Sequence, residues 1–295
     1  MNTGFNSHIL LPADLPAGLL KLNLVWKNAG GTVIGTRKIE IDAGEADDSS
    51  SAGPAPVTTP GNLYLDLMEM ALTGSLYLET GEEILRRDGR DWPEIAHTMI
   101  GVERLHHLRA CVETAIRDGI PGGFIETGVW KGGACIMVRA IFESLGEQER
   151  NVWVADSFQG LPEPSAELYP ADEQDEHHTF QELAISRQRV AEHFERYGLL
   201  DGRVKFLEGW FRDTLPDAPA GPLAIIRLDG DMYESTMDAL VNLYPRLSPG
   251  GFCIIDDYGC IEACRMAVRD YRKSQGITAP VKMIDWTGAW WRKPR

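Results

Sequence analysis

Phe124-Ile-Glu-Thr-Gly-Val-Trp-Lys-Gly-Gly-Ala-Cys135 reads as a short buried strand that runs into a glycine turn and then opens a helix. Glu126 and Thr127 end the strand, Gly128 lets the backbone turn sharply, and Gly132-Gly133 leave no Cβ where a ligand presses on the chain. A turn of this kind, at the carboxyl end of a strand and the start of a helix, is where α/β proteins bind nucleotides and nucleoside-like cofactors. The full G-x-G-x-x-G pattern is absent, because bulky Trp130 stands inside the loop. That weakens a pyrophosphate reading and favours a cofactor without phosphates.

Downstream of this stretch the pattern predicts alternating strands and helices. Apolar runs place strands at 123–126, 152–155, 204–207, 223–228, 252–255, 281–284 and 289–291. Amphipathic spacing places helices at 132–145, 180–197, 235–243 and 261–273. Upstream, 94–117 reads as one long helix, and 63–85 is helical but broken by Gly74 and Gly81. Apolar strands alternating with amphipathic helices form a parallel sheet covered on both faces, with ligands beyond the carboxyl ends of the strands.

The residues at those ends are therefore the informative ones. The second strand ends in Asp156-Ser157-Phe158, and an acidic side chain there accepts hydrogen bonds from both ribose hydroxyls of an adenosine. Trp210, just past Glu208-Gly209, is placed either to stack on an adenine or to cover the sheet edge. The fourth strand runs into Leu228-Asp-Gly-Asp-Met-Tyr-Glu-Ser-Thr236 and the fifth into Ile255-Asp-Asp-Tyr258. Asp229, Asp256 and Asp257 project from these tips into one crevice, and crowded carboxylates raise one another's pKa unless a cation neutralises them. Hard oxygen ligands select Mg²⁺ or a similar ion over zinc. The plainer alternative is that Asp229 or Asp231 caps the helix near Ser235 and that Asp256-Asp257 begin a turn. Two clusters after two strands of one sheet favour the metal. The acidic, proline-bearing segment 161–179 reads as a lid or a disordered loop. His177 and His178 reach a substrate if it closes and are solvated if it does not, whereas His106 and His107 read as surface or packed residues.

The N-terminal part differs in character. Residues 1–42 contain two alternating runs around the turn Asn28-Ala-Gly-Gly31, which predict a β-hairpin extension. Residues 43–61 have the composition of a flexible linker, and 62–295 form the main domain. A net charge of -15 argues against nucleic acid or an anionic membrane as the main partner. Five cysteines without a disulfide framework fit reduced thiols and a cytoplasmic location, and Cys260-x-x-x-Cys264 reads as packing on one helix face rather than as a metal site. No segment has the length of an apolar membrane span.

From Leu63 to Lys293 the chain resembles the macrocin O-methyltransferase family. The stretches that carry the resemblance are Leu63-Tyr-Leu-Asp-Leu-Met68, Asp91-Trp-Pro93, Thr98-Met-Ile-Gly101, Ile125-Glu-Thr-Gly-Val-Trp-Lys-Gly-Gly-Ala134, Asp156-Ser-Phe158, Leu228-Asp-Gly-Asp-Met-Tyr-Glu-Ser-Thr236 and Asp256-Asp-Tyr258. The resemblance implies a class I S-adenosyl-L-methionine (SAM)-dependent methyltransferase fold. That is a Rossmann-like α/β sheet of seven strands, six parallel and one antiparallel, under an N-terminal helical cover. It implies an enzyme that uses SAM and Mg²⁺ to methylate a sugar hydroxyl on a glycosylated natural product such as an antibiotic, and a homo-oligomer. It further implies metal ligation by Asp229, Asp256 and Asp257, with Asp231 as base; the lid reading above keeps His177 or His178 as the alternative base. SAM contacts then fall to Met99, Ile100, Glu126, Thr127, Gly128, Asp156, Ser157 and Trp210. Two other readings stay open: a metal-dependent enzyme methylating a catechol or other vicinal diol, and a scaffold or docking protein on a SAM-binding fold.

Overall fold

The computed structural model describes residues 20–27, 33–41, 60–78 and 83–295, the first two stretches as backbone only. Two compact units are present, Met1–Tyr64 and Leu65–Arg295. In the first, β1 (Leu20–Lys27) and β2 (Val33–Ile41) pair antiparallel with Leu20 opposite Ile41. The turn at 28–31 and nearly all of the linker at 43–61 lie outside the described residues.

After α1 (Pro60–Leu72), whose residues from Leu65 on belong to the second unit, come a 3₁₀ turn at Ser75–Tyr77, α2 (Glu83–Asp88) and α3 (Val102–Arg117). Then come β3 (Gly123–Thr127), α4 (Gly133–Ser144), β4 (Val152–Asp156), α5 (Arg187–Arg196), β5 (Val204–Glu208), α6 (Phe211–Thr214) and β6 (Leu223–Leu228). The chain closes with α7 (Tyr233–Leu243), β7 (Leu247–Ile255), α8 (Glu262–Ser274), β8 (Lys282–Met283) and β9 (Ala289–Arg292). The seven-stranded sheet has the order β5-β4-β3-β6-β7-β9-β8. Neighbours from β5 to β7 are parallel, and β9 runs antiparallel to both β7 and β8. β3 and β6 are buried along their whole length, as a strand covered on both faces must be. The strand order reverses between β3 and β6, and their carboxyl ends open at that switch point.

Three helix limits differ from the sequence reading, each for a visible reason. The helix expected over 94–117 begins only at Val102. The carbonyls of Pro93, Glu94 and Ala96 accept from the Lys131 ammonium, and that of His97 accepts from Gly133 N–H, so they are taken up outside any helix. The helix expected over 180–197 begins at Arg187, because Ser186 caps it by accepting from Arg189 N–H. Cys260 precedes α8 rather than sharing a helix face with Cys264. Segment 161–179 is ordered by 3₁₀ turns at Pro170–Asp172 and His177–Thr179. Among the described residues no helix is long and apolar enough to cross a membrane.

His97 wedges the N-terminal cover against the glycine turn. Its ring meets those of His193 and Tyr197 edge-on, with Nδ1 hydrogen-bonded to the Tyr197 hydroxyl at 2.8 Å. Burial, reinforced by the neighbouring His193, pushes its pKa down to about 3. An unfolded histidine titrates near ~6.5, so this group costs nothing above that value and removes stability as pH falls from there towards 3. His97→Gln should therefore take about 1.4 kcal/mol per pH unit out of the pH dependence of the urea unfolding free energy between roughly pH 6 and 5, and an unchanged dependence would refute a buried neutral ring.

Candidate active site

The switch point opens into a cavity of about 510 Å³ lined by the tips of β3, β4, β6 and β7 together with residues of the N-terminal cover. On one side stands the glycine turn. Gly128 has φ +79°, and a Cβ added there would lie 1.6 Å from the Asp229 carbonyl oxygen, so only glycine lets the β3 and β6 tips approach. Asp156 fixes this turn from β4: one carboxylate oxygen accepts from Val129 N–H and the other from Phe158 N–H, each at 2.7 Å. The Ser157 hydroxyl stands 3.5 Å from the oxygen that Phe158 N–H also reaches. Met99, Gly128, Asp156, Ser157 and Trp210 all line the cavity, whereas Ile100, Glu126 and Thr127 are buried and do not. Glu126 is engaged inside the protein, accepting from the Cys135 thiol at 2.9 Å and from Arg227.

Across the mouth lies the acidic cluster. Carboxylate oxygens of Asp229, Asp256 and Asp257 come within 4.8 Å of one another. Burial and mutual repulsion push the carboxyls of Asp229 and Asp257 well above the usual range. The Arg227 guanidinium, buried in β6, bonds Glu126, Asp229 and Asp256 at once. Arg104, from α3, bonds Asp256 and, at 3.1 Å, Asp285. A set of hard oxygen donors, carrying more negative charge than its two arginines offset, has the chemistry that suits a hard divalent cation.

Asp229 and Asp231 do not cap α7. That role belongs to Asp172, whose two oxygens accept from Tyr233 N–H at 2.6 Å and Glu234 N–H at 3.0 Å. Freed from capping, Asp231 sits at φ +56° and donates its N–H to Asp257. Burial pushes its carboxyl up to about 6, against the pull of His177. His177 also lines the cavity, and its Nδ1 lies 2.7 Å from Asp175, which raises its pKa. His178 does not line it, and its Nδ1 is buried without a partner.

The family profile of macrocin-O-methyltransferase matches residues 77–293. The chain belongs to this family. It is 53% identical over 242 residues to the 8-demethyl-8-(2,3-dimethoxy-alpha-L-rhamnosyl)-tetracenomycin-C 4'-O-methyltransferase of Streptomyces olivaceus, covering 78% of this chain and 92% of that one. It is 48% identical over 250 residues to the mycinamicin III 3''-O-methyltransferase of Micromonospora griseorubida, covering 80% and 98%. Among solved structures, the O-methyltransferase NovP is 47% identical with a TM-score of 0.77, over 80% of this chain and all (100%) of that one. The calicheamicin methyltransferase CalS11, 20% identical with a TM-score of 0.52 over 83% of this chain and 99% of that one, shares the fold. The macrocin-family enzyme described here is thus a SAM-dependent O-methyltransferase of the class I fold.

Arg104, Arg227, Lys131 and Asp172 were not singled out by the sequence reading. Arg227 did leave a signal, since a charge inside Leu-Ala-Ile-Ile-Arg-Leu demands a buried partner. Arg104 left none, because its partner Asp256 is 152 residues away. Replacing Arg227 by Met leaves three carboxylates facing one another and should cost about 3–5 kcal/mol in chemical denaturation. Adding Asp256→Asn should restore part of that loss, and additive effects of the two changes would refute the coupling.

Proposed function

We propose that this enzyme transfers the methyl group of SAM to a hydroxyl of a deoxysugar on a glycosylated natural product, with Mg²⁺ held by Asp229, Asp256 and Asp257. The observation that carries this reading is the placement of three carboxylates beside the Gly128–Asp156 turn in one cavity. The rhamnosyl group in the name of the Streptomyces olivaceus relative supplies the substrate class.

The donor methyl is already activated, so the protein must orient the acceptor and dispose of its proton. Asp156 takes the ribose hydroxyls, Gly128 and Ser157 admit the nucleoside, and Trp210 and Met99 bound it. When bound, a hard dication at the three aspartates supplies electrostatic acidification of a nearby alcohol. Asp231, tethered to Asp257 through its backbone N–H, receives the hydroxyl proton as the new C–O bond forms and the sulfonium becomes a neutral thioether. His177, whose pKa Asp175 raises, puts positive charge near Asp231 and favours its carboxylate, while Asp175 itself works against it. Assembly as a homo-oligomer accompanies this proposal and is read by sedimentation.

Excess EDTA should stop turnover and Mg²⁺ should restore it, and calorimetry should show Mg²⁺ binding that Asp257→Ala removes while SAM affinity stays within about twofold. Full activity in EDTA would sink the metal role. Asp231→Asn should lower kcat by ~10²–10⁴-fold, more than His177→Ala does. The opposite order would make the histidine the base. Turnover of simple catechols, with no turnover of deoxysugar glycosides, would replace the sugar by a phenolic diol.

A further inference from the structure

Methyl transfer is an in-line displacement, so donor and acceptor approach the moving carbon from opposite sides. The donor side is set by Gly128, just after β3, and Asp156, at the end of β4, which leaves the acceptor the side beyond β7 and β9. There the connection from β8 to β9 passes close to the acidic cluster. Thr287 donates its hydroxyl to the Asp256 carbonyl at 3.0 Å, and Gly259 N–H bonds the Thr287 carbonyl at 2.8 Å. A Cβ at Gly259 would lie 2.3 Å from the Trp286 carbonyl oxygen, so the two turns are closely pressed together. Trp286 is therefore one residue from a direct bond to a metal-ligand candidate, and it lines the cavity.

Its ring is held twice. The indole N–H donates to the Asp88 carbonyl at 2.7 Å, and the Arg90 guanidinium lies over the ring at 4.0 Å from its centroid. Yet Trp286 remains 37% exposed. Among the described residues no carboxylate pairs with Arg90, although the chain carries a net charge of -15. Two planar groups lining the cavity, one of them a guanidinium that meets no carboxylate among the described residues, match a ligand that is itself flat and bears carbonyl or phenolic oxygens.

We propose that Trp286 and Arg90 form the aglycone subsite, which takes a flat, conjugated, oxygen-bearing ring system while its attached sugar reaches the aspartates. This rests on the sugar-acceptor reading above. Indole stacking supplies affinity, and the guanidinium N–H groups read the ring oxygens.

The test uses three acceptors with the same deoxysugar: a methyl glycoside, a glycoside of a planar aromatic polyketide, and a glycoside of a saturated macrolactone. Trp286→Ala should raise KM for the aromatic glycoside about tenfold and leave the methyl glycoside within about twofold. Arg90→Met should act in the same direction several-fold, and Trp286→Phe should recover most of the loss. Affinity for S-adenosylhomocysteine should not move in any variant, which reports an intact fold. Parallel losses on all three acceptors, or an unchanged KM for the aromatic one, would overturn the subsite. Calorimetry of the aromatic glycoside against wild-type and Trp286→Ala enzyme, with S-adenosylhomocysteine bound, reads the subsite without turnover. Binding that depends on Trp286 with no methylation would overturn the sugar-acceptor reading alone, and binding indifferent to Trp286 would overturn the subsite alone.

Discussion

A single buried guanidinium holds the working end of the sheet together. Arg227 sits on β6 and reaches Glu126 on β3, Asp229 at its own strand's tip and Asp256 at the tip of β7. Burying any of these charges alone would cost several kcal/mol, so each is tolerable only because the others are present. The consequence is geometric. Three parallel strands that hydrogen bonds align along their length are also locked at their carboxyl ends, where the chemistry is. Arg104 extends the lock to α3, so the helical cover and the strand tips share one charge network.

That network also explains why the cavity stays strongly acidic. Two guanidiniums pair with Glu126, Asp229, Asp256 and Asp285, Asp257 takes the Asp231 N–H instead, and the carboxylates outnumber the guanidiniums. Asp231 and Asp175 add to the same region, offset by His177. Charge left over at a buried site favours a bound cation or protonation, and the raised carboxyls of Asp229 and Asp257 record that tension. On the other side of the cavity, the irregular stretch before α3 is anchored by Lys131, whose ammonium spans three carbonyls. The cofactor turn and the cover that closes over it are thereby joined by one side chain.

Much of the fold was legible because it follows from local rules. The apolar runs at β3, β4, β6 and β7 have no other stable use than strands covered on both faces, and the glycine turn after β3 marks the switch point. The acidic residues at the strand tips were visible for the same reason, since carboxylates next to buried strands require a task. Helix limits were less legible. Residues 94–101 and 180–186 have helical spacing, but the first stretch is held by the Lys131 ammonium and Gly133 N–H and the second ends at the Ser186 cap, neither of which local periodicity registers. The cap on α7 comes from Asp172, which the chain brings in from a loop 61 residues away from Tyr233.

The sequence by itself determined the strand–helix alternation, the need for glycine at 128 and the aspartates at the tips of β4, β6 and β7, because strand burial and backbone sterics act over a few residues. Only the tertiary structure decided which carboxylates face the cavity and which are spent inside. Glu126 turned out to be bound by Arg227 and Cys135, while Asp229 and Asp231 were released from helix capping. Those outcomes depend on partners tens to hundreds of residues apart, and a buried charge takes whichever partner the fold delivers.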